Sequence, residues 1–144
     1  MTICAYDGKT LATDSQYTAG TTKSYGQKLF VIEKGVIGLA GVCSGFELFV
    51  DWIKKGANPD KYPLYLRENN VEALLIKGKG KNRKVFHYEN NTPYPLQFKP
   101  PFAIGIGQSF ALAAMACGKD AVEAVEIAIQ FDSTCGGDIQ TFTF

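Results

Sequence analysis

Thr2 stands directly behind Met1 and is followed at short intervals by Asp14, Lys28 and the Ala40-Gly41 pair. A threonine hydroxyl is a weak nucleophile until a base lies within hydrogen-bond reach, and a threonine that becomes residue one carries that base as its own α-amine. The chemistry open to Thr2 is covalent nucleophilic catalysis, on condition that Met1 is removed. Plainer roles fit the same residues. Thr2 can be an ordinary strand residue, Asp14 and Lys28 a surface ion pair worth little, and Gly41 a turn leading into a helix.

The elements that must position these residues follow from periodicity. Over the first 42 residues the pattern predicts short β segments: Thr2 to Tyr6, a turn at Asp7-Gly8, Thr10 to Asp14, a bend near Ala19-Gly20, Lys28 to Glu33 and Val36 to Ala40. Ser44 and Glu47 have capping-box spacing, and Phe46, Phe49, Val50 and Ile53 follow at helical spacing, which predicts a helix from Gly45 to Lys55. Glu72 to Lys77 and Lys84 to Tyr88 predict a hairpin around Gly78 to Asn82. A Pro-rich connection then leads to a buried strand at Phe102 to Gly105.

Two helices come next: Ser109 to Cys117, closed by Gly118, and Ala121 to Phe131, opened by a second capping box of Asp120 and Glu123. Both are apolar round most of their circumference, so each should be covered by a sheet or by another chain. Asp138 to Phe144 alternates at period two, as a half-buried strand does. The order of elements predicts one layered α+β domain over residues 1–144, with two antiparallel sheets between helix layers.

Composition narrows the partners. Fifteen basic and fourteen acidic residues leave a net charge of +1, which gives no global pull toward nucleic acid or an anionic membrane. The Lys77, Lys79, Lys81, Arg83, Lys84 run has no interleaved aromatic residue before Phe86, and Gly and Asn mark it as a solvated hairpin tip. The four cysteines, Cys4, Cys43, Cys117 and Cys135, are scattered without a C-x-x-C pair, as reduced thiols of a cytoplasmic protein are. His87 is the single histidine. It completes neither a zinc set nor a Ser-His-Asp triad, so no metal is expected. Gly105-Ile106-Gly107 echoes a dinucleotide fingerprint, but Phe110 stands at the third glycine's place, and no cofactor is expected. No signal segment and no apolar run of membrane-spanning length appears.

Thr2-Ile3, Asp14 to Gly20, Lys28 to Ile32 and Gly38 to Gly41 resemble, in order and spacing, the successive signature segments of proteasome β-type and HslV-type peptidases, which are N-terminal-nucleophile hydrolases. Gly105-Ile106-Gly107 and Asp132 to Gly137 are similar to that family's two C-terminal segments, so the resemblance spans nearly the whole chain.

The resemblance implies a four-layer αββα sandwich and a threonine endopeptidase. Thr2 would be the nucleophile, Lys28 the cation beside it, Asp14 the partner that orients Lys28, Gly41 the oxyanion donor and Asp132 a second acid near the amine. Tyr17, Thr18, Leu39 and Cys43 match substrate-binding positions. Peptide or unfolded-protein substrates, a homo-oligomeric ring and an ATP-dependent unfoldase partner are implied as well. Two family serines are replaced, by Ile106 and Cys135. The competing expectation is a non-catalytic structural or binding protein of the same fold that retains Met1.

Overall fold

The computed structural model describes residues 2–144, so the expectations that concern Met1 lie outside the described residues. The chain opens with β1 (Ile3–Tyr6), β2 (Thr10–Thr13), β3 (Gln16–Ala19), β4 (Thr22–Tyr25), β5 (Leu29–Ile32) and β6 (Gly35–Gly41). Helices α1 (Phe46–Lys54) and α2 (Leu64–Glu68) precede β7 (Val71–Lys77), β8 (Lys84–Tyr88), β9 (Leu96–Phe98) and β10 (Phe102–Gly105). Helices α3 (Gln108–Ala116) and α4 (Ala121–Phe131) and strand β11 (Gln140–Thr143) complete the fold.

The described strands form antiparallel sheets, one ordered β10-β1-β2-β11, one ordered β5-β6-β7-β8-β9, and a separate β3-β4 hairpin. Side-chain alternation decides what each sheet touches. In β1, Ile3 and Ala5 pack with Ala111, Ala124 and Val125 of α3 and α4, while Cys4 and Tyr6 face Leu74 and Ile76 of the other sheet. In β7, Ala73 and Leu75 turn the other way, onto Phe49 and Ile53 of α1. Strands covered on both faces must be apolar at nearly every position, which is why β1 and the centre of β7 read as continuous apolar runs. The sheets approach closely at Gly38, where a Cβ would collide with Cys4 Sγ.

Helix α4 lies against β1 and β2 through Ala121, Ala124, Val125 and Ala128, small residues at helical spacing that let the helix come close. Its start is the expected capping box: Asp120 Oδ1 accepts from Glu123 N at 2.9 Å, and Glu123 Oε2 accepts from Asp120 N at 3.0 Å.

The other capping box is not formed. Ser44 lies inside a 3-10 turn, Cys43–Gly45, and the N-cap of α1 is Gly45 with no side-chain bond. A capping residue needs extended backbone, whereas Gly45 already sits at φ −91°, ψ −7°. The Ser44 hydroxyl instead lies 2.6 Å from Tyr65 OH. Elements absent from the sequence reading are the β3-β4 pairing, the short α2 and edge strand β9. β4 and β9 are exposed at every position, so no apolar alternation marks them. No helix among the described residues is long and apolar enough to cross a membrane.

Candidate active site

Hairpin register builds the site. β1 and β2 pair with Cys4 opposite Thr13, so the next pair outward sets Ile3 opposite Asp14, with Asp14 N donating to Ile3 O at 3.2 Å. The Asp14 carboxylate is thereby drawn to the foot of β1. Its Oδ1 accepts from Ile3 N at 3.1 Å, and its Oδ2 accepts from Gly136 N at 3.0 Å.

Lys28 enters from the residue before β5, and Leu39 N donates to its carbonyl at 2.9 Å. Its Nζ donates to Thr2 Oγ1 at 2.8 Å and to Asp14 Oδ1 at 2.9 Å. Thr2 exposes 1% of its surface, and Asp14 and Lys28 none. A buried charge pair is sustained only when its remaining hydrogen-bonding capacity is met, and the two backbone donors on Asp14 help to meet it. Burial holds Lys28 below the ordinary lysine range, while the Asp14 carboxylate pulls the other way. The net result is a hydrogen-bond-donating lysine nitrogen fixed on a threonine hydroxyl, both buried from solvent.

The other expected residues lie as follows. Gly41 closes β6 at φ +101°, where a Cβ would strike the Asn70 carbonyl, so only glycine fits there. Tyr17 sets its ring 5.4 Å from Lys28 Nζ and donates its hydroxyl to Gln27 O at 2.6 Å. Together with Cys43, Phe30, Phe46 and Glu47 it lines a cleft of about 370 Å³. Thr18 accepts a bond from Gln16 Nε2 at 3.0 Å. Leu39 is fully buried in the core against α1. Asp132 caps the turn after α4, its Oδ1 accepting from Thr134 N at 2.9 Å and Thr134 Oγ1 at 2.6 Å. Thr2, Asp14, Lys28 and Tyr17 are thus gathered directly, whereas Asp132 Oδ1 accepts its bonds within its own turn.

Three further residues contribute, and the first of them escaped sequence reasoning altogether. Gln140 of β11 accepts from Lys28 N at 2.9 Å and Leu29 N at 3.1 Å through Oε1, and its Nε2 donates to Gly26 O at 2.8 Å. It fastens the backbone that carries Lys28, yet a single polar residue in an alternating strand gives no signal. Gly105, at φ +95°, wraps the Thr2 backbone so closely that a Cβ would collide with the Thr2 carbonyl. Its Gly-x-Gly setting was visible, its contact was not. Cys135 is 4% exposed, and burial, then Asp14 and Asp132, push its thiol up to about 12. It stays neutral beside the Lys28 and Asp14 charges.

No protein-family model and no curated protein sequence matches the chain. Its fold is similar to that of Thiobacillus denitrificans BPH, at 18% sequence identity and a TM-score of 0.76, covering 100% of this chain and 97% of that chain. It is similar as well to Thiobacillus denitrificans BPH in complex with epoxomicin, at 16% identity and a TM-score of 0.73, covering 100% of this chain and 98% of that one. At these identities what is shared is the fold.

Proposed function

We propose that the chain is a threonine-type peptidase that cleaves peptide bonds with Thr2 once Met1 is removed. In this reading its sheets and helices form the four-layer αββα sandwich of the proteasome-like and HslV-like N-terminal-nucleophile hydrolases. The observation that carries the reading is the buried line from Asp14 through Lys28 Nζ to Thr2 Oγ1, closed at 2.9 and 2.8 Å.

The freed α-amine, with a reference pKa of about 7.7–8.0, accepts the hydroxyl proton as Oγ1 attacks the scissile carbonyl. Lys28 stabilises negative charge on Oγ1 during that transfer, and Asp14 holds the ammonium in place. The tetrahedral oxyanion is received by the Gly41 N–H. The protonated amine then delivers its proton to the leaving nitrogen, giving an acyl ester on Thr2 and a free amine product. Water, deprotonated by the same amine, hydrolyses the ester and restores the hydroxyl.

A neighbour of the same fold is held in complex with epoxomicin, so this compound is a reasonable probe, and the proposal expects it to bind here and block hydrolysis. Assembly into a homo-oligomeric ring belongs to the same proposal. Phe110 and Phe131 support it, since they stack at 5.8 Å on the outer face of α3 and α4 while 40% and 65% exposed. Peptides or unfolded chains delivered by an ATP-driven unfoldase would be the substrates.

The second reading, a non-catalytic protein that keeps Met1, is favoured by one observation: the two serines of the resembled family are replaced here, one by Ile106 and one by the buried Cys135. Intact mass of natively expressed protein, read beside peptide hydrolysis by wild type and Thr2→Ala, separates the two. Loss of Met1 with hydrolysis abolished in Thr2→Ala supports the peptidase. Retained Met1 with no hydrolysis supports the second reading, and equal hydrolysis by both proteins rejects the role of Thr2.

A further inference from the structure

We infer that the pole of the molecule remote from Thr2 is a docking surface for an acidic peptide segment that carries apolar side chains. The strands run from one pole to the other. Thr2, Gly41 and Val71 mark the pole of the candidate site, while the β5-β6 turn, the β7-β8 tip and the end of β11 gather at the opposite pole, roughly 20 Å away along the seven residues of β6.

Charge is concentrated there. Residues 77–99 hold six of the fifteen basic residues and one of the fourteen acidic ones, so this segment has net charge +5 and the rest of the chain −4. Lys77 and Lys84 face each other directly across the hairpin, a like-charge pairing that weakens a sheet when nothing offsets it. Among the described residues none of Lys79, Lys81, Arg83 and Lys84 takes part in an ion pair. A protein that keeps such repulsion on one hairpin is equipped to have it neutralised from outside.

Two clefts open on this pole and share Arg83. The first, about 550 Å³, has Val31, Phe142 and Phe144 as apolar walls, with Lys34 and Lys79 beside the single acid Glu33. The second, about 560 Å³, is bordered by Lys81, Lys84, Lys99 and Phe98. Arg83 is held in advance between them: its Nε donates to Tyr6 OH at 3.1 Å, its Nη2 donates to Gly8 O at 2.7 Å, and its guanidinium lies 5.2 Å from the Phe144 ring centroid. A fixed guanidinium loses little freedom on meeting a carboxylate.

The occupant must therefore bring both negative charge and apolar groups. A peptide fits better than a polynucleotide. β5 is an edge strand, and Val31 on it is 61% exposed, so an extended peptide can pair with its backbone while alternate side chains enter the apolar cleft.

Fluorescence anisotropy tests this with a short fluorescein-labelled peptide alternating Glu with Phe and Leu, titrated with wild-type protein and with Lys79→Glu/Lys81→Glu/Lys84→Glu. The inference expects binding that salt weakens and that the triple variant loses by about tenfold or more. A peptide with Ser in place of Phe and Leu should bind several-fold more weakly. Circular dichroism checks the triple variant's fold, and Lys84→Glu alone serves if it is lost. The inference is overturned if labelled oligothymidine binds as tightly as the acidic peptide, if the charge variants bind like wild type, or if no binding occurs by about 1 mM. All arms are repeated in Thr2→Ala, so the result does not depend on peptidase activity.

Discussion

At the scale of single residues, the account turns on Lys28. Replacing it by Met leaves the Asp14 carboxylate buried with backbone donors alone, which should cost about 3–5 kcal/mol in stability and lower peptide hydrolysis by about 10²–10³-fold. Urea unfolding and kcat/KM on the same protein measure the two effects. Lys28→Arg should not restore activity, because a planar fork cannot take the position of a point ammonium between Thr2 Oγ1 and Asp14 Oδ1. Cys135 gives a pH signature. Its thiol is raised from 9.0 to about 12, first by burial, so the folded chain keeps a proton that the unfolded chain releases. The stability from that retained proton is complete below pH 9 and fades as pH rises toward 12. The deficit of Cys135→Ala against wild type should shrink over that window, as read by urea unfolding at stepped pH. Thr2, Asp14 and Lys28 were legible because their types imply chemistry and the resemblance fixed their order. Gln140 was not, because its role exists only after β11 has docked beside the segment carrying Lys28.

At the scale of elements, two sequence motifs that looked alike have different consequences. Asp120→Ala removes an N-cap that is formed and should cost about 1 kcal/mol. Ser44→Ala removes no cap, only a contact with the Tyr65 hydroxyl on an exposed surface, and should cost less than about 0.5 kcal/mol. Thermal unfolding of the pair reads the difference directly, and an equal loss in both would contradict the geometry at α1. The spacing S-x-x-E is necessary but insufficient, because the backbone before the helix decides whether the hydroxyl can reach an N–H. Helices α3 and α4, β1, β6 and the β7-β8 pair were legible since burial imprints on them apolar runs bounded by turn and capping residues. The β3-β4 hairpin and β9 lack that imprint, being solvated on most sides.

At the scale of the whole molecule, three apolar clusters define the stacking: one between α1 and its sheet, one between the sheets, one between the other sheet and α3 and α4. The layered α+β reading was available from element order, but the opposed poles were not. A net charge of +1 conceals a basic end and an acidic remainder, and only strand direction reveals that the basic end lies away from Thr2. The central claim is that Thr2 Oγ1 is a nucleophile primed by Lys28. Its most direct test is mass-spectrometric trapping of the acyl intermediate, using protein in which a removable leader leaves Thr2 as residue one, mixed with a peptide ester and quenched in acid. The account predicts an acyl adduct mapping to Thr2, absent in Thr2→Ala and scarce in Lys28→Met. Turnover with the adduct on another residue, such as the exposed Cys43, or steady turnover in Thr2→Ala, would contradict it.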